Sequence, residues 1–417
     1  MDAHGPAPRS AVRIPRNVWI LGIVSMFMDT SSEMIHALLP VLLVGTLGVS
    51  AFALGLIEGV AEGTASITKI FSGVLSDRWS RRKPLIVLGY GLAALTKPLF
   101  PMAGSAMTVF TARFLDRIGK GIRGAPRDAL VADEVAPEHR GAAYGLRQSL
   151  DTIGGFAGPL IAVGLMALLA FDLHHVLWIA CIPALLAVST LVIGVREPAA
   201  DGSRGATRGN PLAGFHVADY PRKFWALVTL VVLFTLMRFS EAFLVLRASE
   251  GGLATKWVPL TLVVMSATYL LTAYPAGKLS DRMSRHVLLA IGCVVMVIAD
   301  LLLAFAPSMP WVFVGIAVWG VHMGLTEGLL SALTADYAPA HLRGTAFGLV
   351  NLARGLMQVL ASAVAGGLWT WSGPSLTFGV GAALAVLTGI TSLSMRSRRP
   401  PQMPATSRPT TAAPPAG

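Results

Sequence analysis

Apolar residues run along this chain in long stretches that are separated by short polar segments. A helix needs about 20 apolar residues, each rising 1.5 Å, to cross a bilayer. Twelve stretches approach or exceed this length, and none shows the strict alternation of a strand. The pattern therefore predicts an all-α membrane protein with twelve transmembrane helices, near 17–45, 51–75, 84–103, 107–132, 141–168, 173–195, 224–246, 257–279, 286–305, 309–334, 343–369 and 375–395.

The composition supports a membrane protein. Hydrophobic residues make up 54% of the chain and charged residues 13%, about half the charged fraction of a soluble domain. The net charge of +11 would indicate nucleic-acid binding in a soluble protein. Here most Lys and Arg lie between the apolar stretches, where they orient a protein in the bilayer. We therefore expect lipid, and no nucleic acid, as the surrounding partner.

Positive charge alternates from loop to loop. Lys and Arg precede helix 1 and follow helices 2, 4, 6, 8, 10 and 12, whereas the loops near 46–50, 104–106, 306–308 and 370–374 contain neither. Basic loops remain in the cytoplasm when a membrane protein inserts. The pattern therefore predicts a multi-pass protein of the plasma membrane, the inner membrane of a bacterium, with both termini cytoplasmic.

Two repeated segments divide the chain into halves. GVLSDRWSRR at 73–82 matches GKLSDRMSRH at 277–286 with an offset of 204, and ADEVAPEHRGAAYGL at 132–146 matches ADYAPAHLRGTAFGL at 335–349 with an offset of 203. Two independent matches at nearly one offset indicate two homologous six-helix bundles. Such parallel halves are typical of transporters, which bind substrate between the halves at mid-depth.

The repeat predicts five segments along the chain. Their composition separates them, since Gly, Pro and charged residues fill the connection between the bundles and Pro, Ala and Thr fill the tail. They are a cytoplasmic N-terminal segment at 1–16, a bundle at 17–195, a cytoplasmic linker at 196–223, a bundle at 224–395 and a disordered cytoplasmic tail at 396–417.

The repeated turns carry charges that could latch each bundle in one conformation. Asp77 can accept bonds from a helix N-terminus or from Arg81, and the arginines can pair with carboxylates or lipid phosphates. Such bonds would break in the other conformation. The alternative is that the charges only orient the protein. The predicted latch consists of Gly73, Asp77, Arg78, Arg81, Asp281 and Arg282.

The first turn resembles the signature between helices 2 and 3 of the major facilitator superfamily, G-x-L-[SA]-D-R-x-G-R-[RK], with Ser80 where glycine is usual. The resemblance extends over all twelve predicted helices. It implies a rocker-switch transporter whose cavity is lined by helices 1, 4, 7 and 10. We expect a monomer without enzymatic activity, cofactor or bound metal.

Helix 5 contains a second family motif. GGFAGPL at 154–160 resembles the G-x-x-x-G-P core of a motif seen in antiporters and exporters, and Gly154, Gly158 and Pro159 match it. The Gly-Gly that usually follows is replaced by Ala162 and Val163. The resemblance favours export.

Several predicted helices carry charges that are costly inside a membrane, about 2.5–3.5 kcal/mol each, and that therefore mark functional sites. Asp29 and Glu33 share one face of helix 1 near mid-depth. Helix 4 carries a cationic stripe, because four of its cations fall within 80° of each other at 100° per residue. The members of the stripe are Arg113, Arg117, Lys120 and Arg127. The stripe must face a wet cavity or carboxylates, and the expected carboxylates are Asp29, Glu33, Glu58 and Glu62.

The second half supplies further candidates. Arg238 and Glu241 are three residues apart and are expected to pair, and Trp319 is deep enough to stack on a substrate. His322 and Glu327 lie on the same predicted helix 10. The predicted substrate and coupling cavity comprises Asp29, Glu33, Arg113, Arg117, Lys120, Arg238, Glu241, Trp319, His322 and Glu327.

These residues predict secondary active transport. A carboxylate that binds a proton when buried and releases it when hydrated couples transport to a proton gradient, and the candidates are Asp29, Glu33 and Glu241. We predict proton-coupled efflux of a small organic solute, with uptake or facilitated passage of a small anion, metabolite or metal ion as the alternative. The motifs GxxxxGK[ST], HExxH and GxSxG do not occur, so ATP-driven pumping and a membrane enzyme lack support. The charge of the solute stays open.

Overall fold

The computed structural model describes residues 14–78, 81–136, 139–196, 220–280, 282–338 and 343–395. All regular elements in these ranges are helical, which confirms the predicted fold class. The α-helices, in chain order, are α1 (Arg16–His36), α2 (Ala51–Arg78), α3 (Lys83–Thr96), α4 (Ala106–Glu134), α5 (Arg140–Ala167), α6 (Leu173–Ile179), α7 (Cys181–Gly194), α8 (Arg222–Met237), α9 (Ala242–Glu250), α10 (Leu260–Ser280), α11 (Arg285–Phe305), α12 (Met309–Thr326), α13 (Leu329–Tyr337) and α14 (Arg343–Ser394).

These helices form twelve rods, because several rods are interrupted. The first continues from α1 into a π-helical turn at Val41–Thr46. The sixth, seventh and tenth are the pairs α6–α7, α8–α9 and α12–α13. The last two predicted helices are joined in α14 across Gly373, whose φ of 72° bends the chain ahead of Pro374. Residues 1–13 of the N-terminal segment, the tail at 396–417 and residues 197–219 of the linker lie outside the described residues. α8 begins at Arg222, within the predicted linker.

Eight helical stretches are long and apolar enough to span a membrane, and one of them, Ala346–Ser394, contains two rods. The second, third and fourth rods do not qualify. α3 has 14 residues, and α2 and α4 carry charged residues along their length. The charges of α2 and α4 pair with each other inside the protein, so composition understates the ability of these rods to cross a bilayer.

The two halves pack in corresponding ways. In the first half α2 and α3 pack on α4, and α1 packs on α5; in the second, α10 and α11 pack on α12, and α8 packs on α14. This correspondence is the pseudo-symmetry that the repeats predict. Contacts between the halves are made by α2 with α14 and by α5 with α10.

Glycines bring the two halves into backbone contact. Gly55, Gly59 and Gly63 lie four residues apart on one face of α2, and a Cβ at each would come within 3 Å of α14. At Gly55 that Cβ would lie 2.1 Å from the backbone oxygen of Ser362. The contact lies in the part of α2 nearest the loop at 46–50, so the halves are closed on the face that carries the loops near 46–50, 104–106, 306–308 and 370–374. These four loops contain no Lys or Arg, although the connection between α9 and α10 on the same face contains Lys256. We call this the uncharged face, after the four loops, and the opposite one the basic face.

We expect Gly55→Ala to destabilise the protein. The added methyl group meets backbone, which cannot rotate away, and overpacking of this kind costs about 1–3 kcal/mol. Gly145→Ala on α5 is the matched control, because a Cβ there meets nothing within 4 Å. Thermal unfolding of the purified proteins in detergent should show a lower melting temperature for Gly55→Ala alone. Equal melting temperatures would contradict the close contact between the halves.

Candidate functional site

A cavity lies between the two halves and has two connected parts. The central chamber has a volume of about 370 Å³, and the basic-side chamber, which extends toward the basic face, has about 450 Å³. Volumes of this size accommodate drug-sized molecules. Both chambers are lined by Glu33, Glu62, Lys120, Glu241 and Met323.

The central chamber is built from rods of both halves. The first half contributes α1, α2 and α4, and the second contributes the interruptions between α8 and α9 and between α12 and α13, together with α14. Rods 1, 4, 7 and 10 therefore line it, as the family resemblance implies. Its polar lining is dense, and Phe234, Phe239 and Met323 supply apolar surface.

An ion network fixes the first half beside the chamber. Arg113 donates two hydrogen bonds to Glu58, at 2.8 and 2.9 Å, and a third contact of 2.9 Å joins it to His36. Glu58 is 0% exposed and Arg113 is 1% exposed. Ser240 of the second half donates to the same carboxylate at 3.4 Å. Arg113 thus contacts side chains of α1 and α2 and links these helices to α4.

A second buried network lies one turn away. Lys97 donates to Asp116 at 2.8 Å and to Ser32 at 2.9 Å. Arg117 lies 3.3 Å from Glu62. Of the four carboxylates expected to face the stripe, Glu58 and Glu62 pair with its first two arginines, together with Asp116, whereas Asp29 and Glu33 do not.

Arg127, the residue of the cationic stripe nearest the basic face, also contacts other side chains of the protein. Arg127 contacts Ser25 and, at 3.4 Å, the Tyr90 hydroxyl, and its guanidinium lies 3.4 Å from Asp128. Arg123, on the same helix, stacks over the Tyr90 ring at 4.4 Å. Both arginines line the basic-side chamber.

In the second half, the interruption between α8 and α9 determines which carboxylate Arg238 pairs with. α8 ends at Met237, and Arg238 has the non-helical angles φ −110° and ψ 75°. Its guanidinium donates to Glu327 at 3.0 Å, and Glu327 itself lies between α12 and α13. The expected Arg238–Glu241 pair is therefore wrong, because its three-residue spacing presumes a continuous helix. Irregular backbone at this depth is tolerated where it lines a cavity.

Four ionisable side chains in the central chamber have no ion pair within 4 Å among the described residues. They are Glu33 and Lys120 from the first half and Glu241 and Arg354 from the second. Asp29 is likewise without an ion pair there and lines the basic-side chamber. Each half thus contributes one unpaired acid and one unpaired base to the central chamber.

Two predicted lining residues lie elsewhere. Trp319 and His322 are 0% exposed and line neither chamber. Trp319 packs on Phe239 at 5.5 Å, and His322 stacks on Phe234 at 5.8 Å while its Nδ1 contacts the Gly292 carbonyl. In this conformation Phe234 and Phe239 line the cavity and Trp319 and His322 pack behind them, so their contact with substrate stays a prediction.

The helix 5 motif packs against the acidic face of α1. A Cβ at Gly154 would lie 2.4 Å from the Met26 oxygen, and one at Gly158 would lie 2.6 Å from the Thr30 oxygen and 2.9 Å from the Glu33 Cβ. Pro159 continues the helix without a backbone donor. The motif glycines therefore set the position of Glu33 in the cavity.

Gly158→Ala should impair transport strongly. The new methyl group would displace the α1 backbone and Glu33, whereas Gly164→Ala on the same helix adds a methyl group with nothing within 4 Å. We expect at least a tenfold loss of flux, equivalent to about 1.4 kcal/mol, for Gly158→Ala alone. The measurement is flux per folded transporter in proteoliposomes; equal flux for the two variants would refute the positioning role of Gly158.

The predicted latch is only partly described. Gly73 faces Ala125 of α4, and Arg81 and Arg282 are exposed. Asp281 and the side chains of Asp77 and Arg78 lie outside the described residues, so the latch stays a prediction.

Sequence reasoning missed an ion pair beside each repeated turn. Arg82 lies 2.7 Å from Asp133 at the end of α4, and Arg285 pairs with Asp336 at the end of α13. The residue numbers of the two aspartates differ by 203, the offset of the repeat, and this match was the sequence signal that could have indicated the two ion pairs.

A buried acid was also missed. Asp300 of α11 is 0% exposed, and neither carboxylate oxygen has a hydrogen-bond partner among the described residues. A Cβ at Gly381 would lie 2.6 Å from one of these oxygens. Asp300 lines neither chamber.

Comparison with known proteins gives the family. The model of the Major Facilitator Superfamily matches residues 21–362 and, in a second match, 251–416. The chain belongs to the major facilitator superfamily. It is therefore a multi-pass membrane transporter. The members of this superfamily are transporters and not enzymes.

Relatives and solved structures of the superfamily cover most of the chain. An MFS-type transporter of Methanocaldococcus jannaschii is 30% identical over 383 residues, 90% of this chain and 94% of the relative. The multidrug resistance protein MdtH of Yersinia pestis is 26% identical over 346 residues, 81% and 82% of the two chains. The nucleoside transporter NupG has a TM-score of 0.73 at 13% identity, covering 91% of this chain and 99% of its own. A POT family transporter has a TM-score of 0.75 at 14% identity, covering 91% of this chain and 96% of its own.

Proposed function

We propose that the protein exports a small organic solute from the cytoplasm in exchange for protons. The observation that carries the proposal is a set of cavity carboxylates, Asp29, Glu33 and Glu241, that form no ion pair with any residue in the described part of the chain. A carboxylate away from bulk water is stabilised by a proton or by a cationic group. When a proton and a solute compete for one carboxylate, binding of either releases the other, and this competition produces exchange.

Two further observations support export. Gly158 of the antiporter-like motif lies directly against Thr30 and Glu33, so the motif and a proposed coupling carboxylate form one packed unit. The Yersinia relatives that match four-fifths of the chain are named for multidrug resistance. In this proposal the solute is a small molecule, protons are the coupling ion, and the protein acts as a monomer in the plasma membrane.

The conformation supports a specific step of the transport cycle. The halves are in backbone contact near the uncharged face, at Gly55 and Ser362, and the cavity extends toward the basic face. With the basic loops in the cytoplasm, this state receives solute from inside the cell. Opening the other side requires α2 and α14 to separate. The repeated turns after α2 and α10 would then latch the basic face.

Everted membrane vesicles test the direction and the coupling. A labelled ligand is first identified by thermal shift from a library that contains cations, anions, zwitterions and neutral molecules. Vesicles that contain the protein and acidify their lumen should accumulate this ligand, and a protonophore should abolish the accumulation. Accumulation in right-side-out vesicles energised by an acidic exterior would instead establish uptake symport, and flux that ignores the protonophore would establish a facilitator.

A further inference from the structure

The unpaired charges of the central chamber define a class of solute, and this inference rests on the proposed transport function. We propose that the chamber binds a zwitterion, a solute with an ammonium group and an acidic group on an apolar body. The ammonium group would lie between Glu33 and Glu241, and the acidic group would lie toward Lys120 and Arg354.

The first argument is the charge that remains after pairing. Arg113 with Glu58, Arg117 with Glu62 and Arg238 with Glu327 satisfy six of the ten acidic and basic lining residues, taking His36 as neutral. Two acids and two bases remain. A singly charged solute would pair with the chamber residues of opposite charge and leave the residues of its own sign unpaired. A zwitterion would pair with both the two acids and the two bases. Selectivity therefore arises from repulsion of wrong partners as well as from attraction.

The second argument is the surroundings of the unpaired groups. Glu241 lies close enough to Arg238 and to Glu33, Glu327 and Glu62 for their charges to act on it, one positive charge and three negative ones. This acidic environment favours a cationic guest at Glu241. Arg354 extends from α14, a different wall of the chamber. The acidic and basic ends of the solute would therefore contact different walls.

The third argument is the origin of these groups. Glu33 and Lys120 belong to the first half, and Glu241 and Arg354 belong to the second. An ammonium group between the two glutamates and an acidic group between the two bases would each bridge the halves. A zwitterion therefore contacts both halves with both of its charged ends, which ties its binding to their relative position.

The fourth argument is the apolar surface. Phe234, Phe239 and Met323 all line the central chamber. Flat apolar groups pack well on such side chains. Within a chamber of about 370 Å³, a body of one or two rings fits together with both charged groups.

A matched set of probes tests the proposal by binding to the purified full-length protein. The probes are tryptophan and the dipeptide Trp-Ala, each with its N-acetylated form, an anion, and its C-amidated form, a cation. We expect a zwitterion to bind at least about tenfold more tightly than both of its singly charged forms, a difference of about 1.4 kcal/mol. Equal or tighter binding of a singly charged form, or no thermal shift with either zwitterion, would overturn the proposal.

Variants assign the two ends of the probe. Glu241→Gln should weaken the zwitterion and the amide but not the N-acetyl form, and Arg354→Gln should weaken the zwitterion and the N-acetyl form but not the amide. Glu250→Gln is the control, since Glu250 lies on α9 outside both chambers and accepts from Trp369, a bond that glutamine can also accept. Uniform weakening of all three forms would indicate structural damage and refute the assignment.

This inference and the proposed function fail in different ways. Proton-driven export of a singly charged solute, with no binding of the zwitterions, would overturn the inference and leave the proposed function intact. Binding of the zwitterions without proton-driven flux in either vesicle orientation would overturn the proposed function and leave the charge assignment of the chamber intact. The two experiments therefore separate the charge of the solute from the direction and energy source of its transport.

Discussion

Replacement of Arg113 by leucine is expected to reduce stability more than the other substitutions proposed for this protein, by about 3–5 kcal/mol. Glu58 is 0% exposed and receives two hydrogen bonds from Arg113. Without the guanidinium, a buried carboxylate retains only His36 and the long contact from Ser240. The loss comes mainly from this stranded charge, since the net contribution of a buried ion pair is small.

A double-mutant cycle distinguishes a stranded charge from lost packing. The variants are Arg113→Leu, Glu58→Leu and the combination of both, each followed by thermal unfolding in detergent. We expect the double variant to be more stable than Arg113→Leu alone, because it removes the unpaired carboxylate. If the two losses simply add, packing rather than charge pairing determines the stability of this site.

Glu241→Gln is expected to abolish proton-driven accumulation in everted vesicles. Glutamine keeps the size and polarity of the side chain but can neither release a proton nor attract an ammonium group. Glu33→Gln should have the same effect, because both side chains lack ion-pair partners in the chamber among the described residues. Flux should fall to the level of vesicles that lack the protein, a loss of at least about a hundredfold, or 2.7 kcal/mol.

The control for this prediction is Glu250→Gln, which makes the same chemical change on α9. It should retain proton-driven flux, and all three variants should reach the membrane in equal amounts. Proton-driven flux that persists in Glu33→Gln and in Glu241→Gln would show that neither carboxylate couples transport to protons. The remaining candidate would then be Asp29 in the basic-side chamber.

A hydrogen bond connects the ion network of the first half to the interrupted seventh rod of the second half. Ser240 donates to Glu58 across the boundary between the halves, and it directly precedes Glu241. Under the proposed mechanism, a displacement of Glu241 on binding a proton or a solute would act on the backbone that holds this contact. Helix interruptions of this kind give a transporter local freedom beside rigid rods.

The sequence by itself determined the membrane class, the twelve rods, the two pseudo-symmetric halves and the family. These features follow from the length of apolar runs and from repeated motifs, which are properties of contiguous residues. It also placed Glu33, Lys120 and Glu241 in the cavity, because a charge is tolerated at mid-depth only where water or a partner is present.

Only the tertiary structure decided which charges are paired. Arg113 binds Glu58 and not Asp29 or Glu33, and Arg238 binds Glu327 and not its neighbour Glu241. Ion pairs depend on distances of 3–4 Å between separate helices and on where a helix is interrupted, and neither is encoded in the periodicity of one segment. Burial of Trp319 behind Phe239 has the same origin, since depth in a bundle depends on all the helices that surround a residue.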